Sequence, residues 1–387
     1  MKEMTYQITS ESVTEGHPDK VCDQISDAIL DSYLTLDPHA HVAIECMISP
    51  QLLIIAGEVN STSTVDVEEV ARKKLAAIGY TSEAAGMDAS TCVILCNINT
   101  QSTDIAQGVL RENQQLGAGD QGIMYGYACR ETAEYMPLPI QLAHGITKQL
   151  TDMRKTGMLP YLQPDGKSQV TVEYHDDGSF KRITDIIVST QHVADISQET
   201  IRQGVIEKVI LPILGKNYFD TGIRILVNPT GRFVVGGPQG DVGLTGRKII
   251  VDTYGGVIPH GGGAFSGKDA TKLDRSGAYM ARYACKNIVA AGLADRCQLS
   301  VSYAIGVVEP VSFHLETFGT EKIPIEVIYG TLRSIFDFTP QGIITTLGLR
   351  MPIYSHTASY GHFKTGASWE NLDKVAILKE LRTLLQL

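Results

Sequence analysis

Val42-Ala43-Ile44-Glu45-Cys46-Met47-Ile48, followed by Ser49-Pro50-Gln51 and the apolar run Leu52-Leu53-Ile54-Ile55, decides how the rest of the chain is read. Val42, Ile44, Cys46 and Ile48 alternate with other residues, the period of a half-buried strand, and Pro50 marks the turn of a hairpin. The same grammar returns at Val170/Val172/Tyr174 before Asp176-Asp177-Gly178, and at Cys297/Leu299/Val301/Tyr303/Ile305 before Glu309-Pro310. The turns near 50, 177 and 309 lie 127 and 132 residues apart in a chain of 387, so three similar units fill the sequence. A helical pattern precedes each hairpin, at about 18–34, 134–154 and 271–291. Another follows each, at about 64–78, 197–211 and 323–336, and further strands are expected at 91–98, 222–228 and 342–348. The fold class expected is therefore α+β: three related helix/β-hairpin domains with pseudo-threefold symmetry, their sheets packed under helices. Each sheet would leave one face uncovered, and three such faces are hard to solvate, which suggests an oligomer.

Composition narrows the function. Hydrophobic residues make up 43% and charged residues 20%, which excludes disorder. Lys and Arg number 33 against 43 Asp and Glu, a net charge of -10, so no nucleic-acid binding through the overall field is expected. The longest apolar stretch, Leu52–Ala56, is too short to span a bilayer, and the opening MKEMTYQITS lacks a signal-like apolar core. A cytoplasmic chain without membrane contact is expected, and its seven cysteines, with no CxxC pair, read as reduced core thiols.

Three segments carry chemistry. In Thr14-Glu15-Gly16-His17-Pro18-Asp19-Lys20, Pro18 suits the first position of a helix, and His17, Asp19 and Lys20 gather at its positive end. His17 reads equally as a catalytic or a capping residue. Asp19, Asp23, Asp27 and Asp31 follow at strict four-residue spacing, and the last three read as well as a solvated acidic face as a functional one. The segment 97–122, ending in Gly117-Ala118-Gly119-Asp120-Gln121-Gly122, is rich in Asn, Gln and Gly and reads as a binding loop or as a surface connection. Gln101, Asp104 and Arg111 would act there only if the loop closes over a ligand.

From Gly231 to Gly267 there are 12 glycines in 37 residues, interleaved with Arg232, Arg247 and Lys248 and followed by Lys268, Lys272 and Arg275. Glycine lets backbone amides crowd an anion, and fixed cations neutralise it, so a local polyphosphate-like site is expected in an otherwise acidic protein. Gly262-Gly263-Ala264-Phe265-Ser266-Gly267-Lys268-Asp269 is not a P-loop, because Asp stands where the Mg²⁺-binding hydroxyl is required. Asp165-Gly166-Lys167 adds an acid–base pair just ahead of the central hairpin, while Glu45 and Glu58 lie on strand faces that solvent alone would explain.

Taken together, GHPDK (16–20), GAGDQG (117–122), GGPQGDVGLTGRK (236–248) and HGGGAFSGKD (260–269) resemble the S-adenosylmethionine synthetase (methionine adenosyltransferase) family over roughly residues 5–375. The resemblance implies an N-terminal domain at 1–101, a mobile loop or linker at 102–122, a central domain at 115–233 and a C-terminal domain at 235–387. It implies synthesis of S-adenosyl-L-methionine from L-methionine and ATP. Sulfur attacks C5′ and tripolyphosphate leaves, to be hydrolysed to phosphate and diphosphate. It also implies two Mg²⁺ and one K⁺ per subunit, and homodimers or homotetramers with active sites at the subunit interface.

By motif position, the resemblance assigns catalysis to His17, Lys167, Arg247 and Lys268. ATP would be held by these four with Asp165, Gly166, Arg232, Phe233, Asp241, Lys248 and Ala264, and L-methionine by Glu58, Gln101, Asp241 and Lys272. Asp19 resembles a Mg²⁺ ligand, Asp274 a second one, Glu45 the K⁺ ligand, and 101–111 a mobile lid. Two rivals remain open to test: an ATP-dependent kinase or ligase acting at phosphorus, and a nucleotide-binding regulatory subunit.

Overall fold

A computed structural model describes residues 4–100 and 116–385. The first unit runs β1 (Thr5–Val13), α1 (Pro18–Leu36), β2 (His41–Ser49), β3 (Leu52–Asn60), α2 (Val67–Ile78) and β4 (Val93–Asn99). The second runs β5 (Gly122–Cys129), α3 (Leu138–Lys155), β6 (Leu162–His175), β7 (Phe180–His192), α4 (Gln198–Val205), α5 (Leu211–Tyr218) and β8 (Arg224–Val227). The third has β9 (Gly243–Leu244), α6 (Leu273–Ala290), β10 (Arg296–Tyr303), β11 (Ser312–Glu316), α7 (Ile325–Ile335) and α8 (Pro340–Leu347). All three expected hairpins and their flanking helices are present.

The third unit departs from the pattern at 342–348, where a strand was expected and α8 forms instead. Its β-branched residues read as strand, but the helix signals around them win. Thr339 caps the N-terminus by accepting from the Gly342 amide at 3.1 Å, Pro340 occupies the first turn, and Gly348 ends the helix in the left-handed region at φ 61°.

Each unit opens with a strand that leaves its own hairpin and joins another's. β1 pairs antiparallel with β6, β5 with β10, and β9 with β2, giving sheets ordered β1-β6-β7-β8, β11-β10-β5 and β9-β2-β3-β4. The exchange is cyclic, so no sheet is complete without a segment from another unit. It also carries the segment following each donated strand into a neighbouring unit, and this brings the glycine-rich segments to α1.

Helices α1 and α6 and the sheets of the first and third units share one apolar core, whereas α3 to α5 and the central sheet form a second. The three outer sheet faces differ in their mix of polar and apolar residues. The central sheet presents Thr9, Glu11, Gln169 and Asp185 together with Ile187 and Leu226, and the C-terminal sheet Gln298, Ser300, Ser302 and His314 together with Tyr125 and Ile123, the last 47% exposed. The N-terminal sheet presents Met47, Ile54, Val93 and Leu95, with Val93 and Leu95 more than half exposed. No helix among the described residues is long and apolar enough to cross a membrane.

Candidate active site

The site is assembled where β1 turns into α1. Thr14 donates its amide to the Gly166 carbonyl at 2.9 Å and its hydroxyl to the Pro164 carbonyl at 2.7 Å, so Thr14–His17 lies along Asp165-Gly166-Lys167 of β6. Gly16 permits this approach: a Cβ there would meet the Pro164 carbonyl oxygen at 2.3 Å. Tyr80 donates to the Gly16 carbonyl and holds the turn from the other side.

His17 is the N-cap of α1, with Nδ1 accepting the Asp19 amide at 3.2 Å, which leaves the ring proton on Nε2. Burial, then the charges of Lys248 and Lys167, lower its pKa to about 3. The capping and catalytic readings of His17 are therefore compatible: one nitrogen caps, and the other is a neutral donor.

The aspartate series of α1 is not a solvated face. Asp19, Asp23 and Asp27 are buried, and each accepts a backbone amide from the third unit: Leu244 at 3.0 Å, Gly246 at 2.8 Å and Gly267 at 2.8 Å. Asp31, half-buried, takes the amides of Tyr354 and Ser355 at 3.0 and 2.7 Å. The same glycine-rich segments dock against the edge of β2, where Thr245 donates to the Cys46 carbonyl and Ile44 to the Gly267 carbonyl, both at 3.0 Å. Helix and strand edge thus clamp the segments that carry the cations. Spacing alone placed the four carboxylates on one face; what that face would meet was set by the strand exchange.

The cations and carboxylates are already paired. Lys248 Nζ lies 2.5 Å from Asp19 Oδ2, with Arg247 Nε at 3.8 Å from Oδ1. Burial would raise the Asp19 carboxyl, but the hydrogen bonds from Lys248 and the Leu244 amide outweigh it, and its pKa falls below the usual value. Lys268 pairs with Asp274 at 2.7 Å, and Lys272 pairs with buried Asp269. Asp165 accepts the Gly237 amide at 2.9 Å through Oδ2, while its buried Oδ1 has no partner among the described residues. Burial pushes the Asp165 carboxyl up to about 6, against the pull of the Gly237 amide and Lys167. Lys167 and Arg247 are exposed.

Two residues do not stand where charge counting put them. Arg275 is fully buried, forking both carboxylate oxygens of Asp27 at 2.7 and 2.8 Å. Lys20 is equally buried and points away from the helix end, to Asp23 at 2.8 Å and to Asp252. Neither faces a ligand, so the local excess of cations at the site is smaller than the sequence suggested.

Of the remaining candidates, Ala264 packs beside Gly246, whose added Cβ would lie 2.6 Å from its methyl. Phe233 is locked to His192 by hydrogen bonds at 3.0 Å from its amide and to its carbonyl, while Arg232 and Asp241 are exposed. Glu45 and Glu58 are exposed on the outer face of the N-terminal sheet and form no ion pair among the described residues. Gln101, Asp104, Arg111 and the whole of the expected lid at 101–111 lie outside the described residues.

Three family models match the chain in sequence order. That of the S-adenosylmethionine synthetase N-terminal domain matches residues 5–103, that of the central domain 115–233, and that of the C-terminal domain 235–371.

Proposed function

The chain belongs to the S-adenosylmethionine synthetase family, transferases that make S-adenosylmethionine from methionine and ATP, and on that premise we propose how this site performs the reaction. The sulfur of L-methionine attacks C5′ of ATP, the C5′–O5′ bond breaks, and the intact triphosphate chain departs before hydrolysis to phosphate and diphosphate. A thioether is a neutral, modest nucleophile, and the leaving group gathers negative charge. Catalysis therefore falls mainly on alignment and on cations already in place.

His17, neutral with its proton on Nε2, donates toward the leaving oxygen. Lys167, Arg247, Lys248 and Lys268 stabilise the phosphates, with Asp165, Arg232, Phe233 and Ala264 framing the nucleotide. Glu58, Asp241 and Lys272, with Gln101, orient methionine. The observation that carries this reading is the self-neutralised set Asp19–Lys248 and Asp274–Lys268 beside a neutral histidine. When a polyphosphate arrives, each lysine has an anion to turn to, and each carboxylate is released for a cation.

That donor set fits Mg²⁺. A hard ion that keeps water and phosphate oxygens in its shell needs only one or two carboxylates, here Asp19 and Asp274. Among the described residues no group of three or more protein ligands forms a cage. Bound Mg²⁺ supplies charge neutralisation to the departing phosphates. Glu45 is the K⁺ ligand in this reading. The apolar outer face with Met47, Ile54, Val93 and Leu95 is the surface on which a second copy packs, and Glu45 and Glu58 stand on it, so the methionine and K⁺ sites fall at the subunit boundary. A cytoplasmic dimer or tetramer is the form proposed.

Incubation of the purified chain with ATP, L-methionine, Mg²⁺ and K⁺ tests the reading. Mass spectrometry should find the sulfonium product, phosphorus NMR should find phosphate and diphosphate, and omission of Mg²⁺ should abolish both. Untouched substrates, or a phosphorylated or adenylylated methionine, would overturn it.

A further inference from the structure

Behind the first turn of α1, Lys20 is fully buried between two buried carboxylates, Asp23 and Asp252. We propose that Lys20, anchored by Asp252, is a positioning residue for the phosphate clamp: it orients Asp23, which holds the Gly246 amide and so sets the adjoining Arg247-Lys248 step. The inference rests on the reading of that step as a polyphosphate clamp.

The chain of contacts is continuous. Asp23 gives Oδ2 to Lys20 at 2.8 Å and Oδ1 to the Gly246 amide at 2.8 Å, so its rotamer is fixed by one partner and used by the other. Gly246 holds a left-handed conformation at φ 83°, and the Asp23 carboxylate fixes its amide at the start of the Arg247-Lys248 step. One turn earlier, Asp19 repeats the device, holding the Leu244 amide through one oxygen and Lys248 Nζ through the other. The difference is the source of the cation. Asp19 draws its lysine from the clamp itself, which must let go when a ligand binds. Asp23 draws its lysine from the core, which need not.

Charge economy supports this assignment. Asp27 and Arg275 form a self-sufficient bidentate pair, one anion to one cation. Lys20 instead faces two carboxylates, and the second is costly to keep there: burial pushes Asp252 up to about 7, with His362 Nε2 3.6 Å away as its other neighbour. A purely architectural role would not need the second anion. Asp252 and Asp23 both hold the same ammonium, so neither partner has it alone.

The test is calorimetric binding of inorganic tripolyphosphate with Mg²⁺ withheld, so that the ligand is not hydrolysed, alongside the KM values for ATP and methionine. Lys20→Met and Asp252→Asn are the variants, the second guarding against a failure of the first to fold. The proposal expects tripolyphosphate binding weakened about tenfold or more in Asp252→Asn. It expects kcat/KM for ATP lowered by up to about 10²-fold, as for a small misplacement of a reacting group, with the KM for methionine within about twofold of the parent. Unchanged tripolyphosphate affinity in folded Asp252→Asn would overturn it, as would equal losses for both substrates in step with a fall in melting temperature. If the parent binds tripolyphosphate but forms no sulfonium, the proposed reaction falls while the positioning role is still read from the calorimetry.

Discussion

The first turn of α1 and its middle use the same residue in the same way and for different ends. Asp19 and Asp27 both accept a backbone amide from a glycine-rich segment, and both meet a cation from the third unit. Asp27 meets Arg275, wholly enclosed and locked by two parallel hydrogen bonds. Asp19 meets Lys248, whose side chain is still 15% exposed, and exposed Arg247 stands beside it. A carboxylate paired deep inside holds the fold; the same carboxylate eight residues earlier, paired with a reachable lysine, can exchange that partner for a ligand. Burial of the partner, not of the aspartate, separates structure from chemistry.

Breaking the inner pair should produce the largest effect. Asp27→Ala strands the Arg275 charge in the core and is expected to cost about 3–5 kcal/mol of stability, read from a denaturant midpoint. A loss under about 1 kcal/mol would mean that the inner pair is not what holds the third unit to α1. Asp19→Asn preserves the shape and the Leu244 acceptor, so stability should change little. Its kcat should fall by about 10²–10³, the scale of removing one preorganised charged group, or about 2.7–4 kcal/mol. An Asp19→Asn variant with full turnover and a collapsed melting temperature would erase the distinction between the two aspartates.

Acid should weaken the fold through three buried histidines, His17 at the start of α1, His144 on α3 and His362 beside Asp252. Burial foremost, with neighbouring cations, lowers His17 and His144 to about 3 and His362 well below its ordinary value. Below about pH 6.5 the unfolded chain takes up these protons and the folded chain does not, so their stability is complete above that pH and drains away as pH falls toward 3. The slope is about 1.4 kcal/mol per pH unit for each histidine. Urea midpoints that stay constant from pH 7.5 to 5 would contradict neutral burial. The smallest effect belongs to Asp31, the last and most exposed of the four aspartates of α1. Asp31→Ala frees the Tyr354 and Ser355 amides near the surface, where water can replace the carboxylate, and should cost about 1 kcal/mol with no change in kcat.

Local patterns were legible where local physics decides the outcome. Alternation at 42–48, 170–174 and 297–305 gave the hairpins, because a half-buried strand must alternate whatever lies beside it. At 342–348 the capping chemistry of Thr339, Pro340 and Gly348 was present in the sequence, but the strand-like Ile343-Ile344-Thr345-Thr346 obscured it. Strand exchange was not legible, since β1 gives no local sign that its partner lies more than 150 residues away. For the same reason the site motifs named candidate residues, but not that Lys248 would meet Asp19 while Arg275 met Asp27. The three open sheet faces were foreseen from the alternation, but which residues stand side by side on each was not, because the donated strands set that.

The central claim, that sulfur captures C5′ while the clamp stabilises an intact departing triphosphate, is tested most directly with ATP carrying ¹⁸O in the bridge between C5′ and the α-phosphorus. Breaking the carbon–oxygen bond sends all of the label into the phosphate products and none into the sulfonium nucleoside. Label retained on the nucleoside would mean that the bond to phosphorus had broken instead.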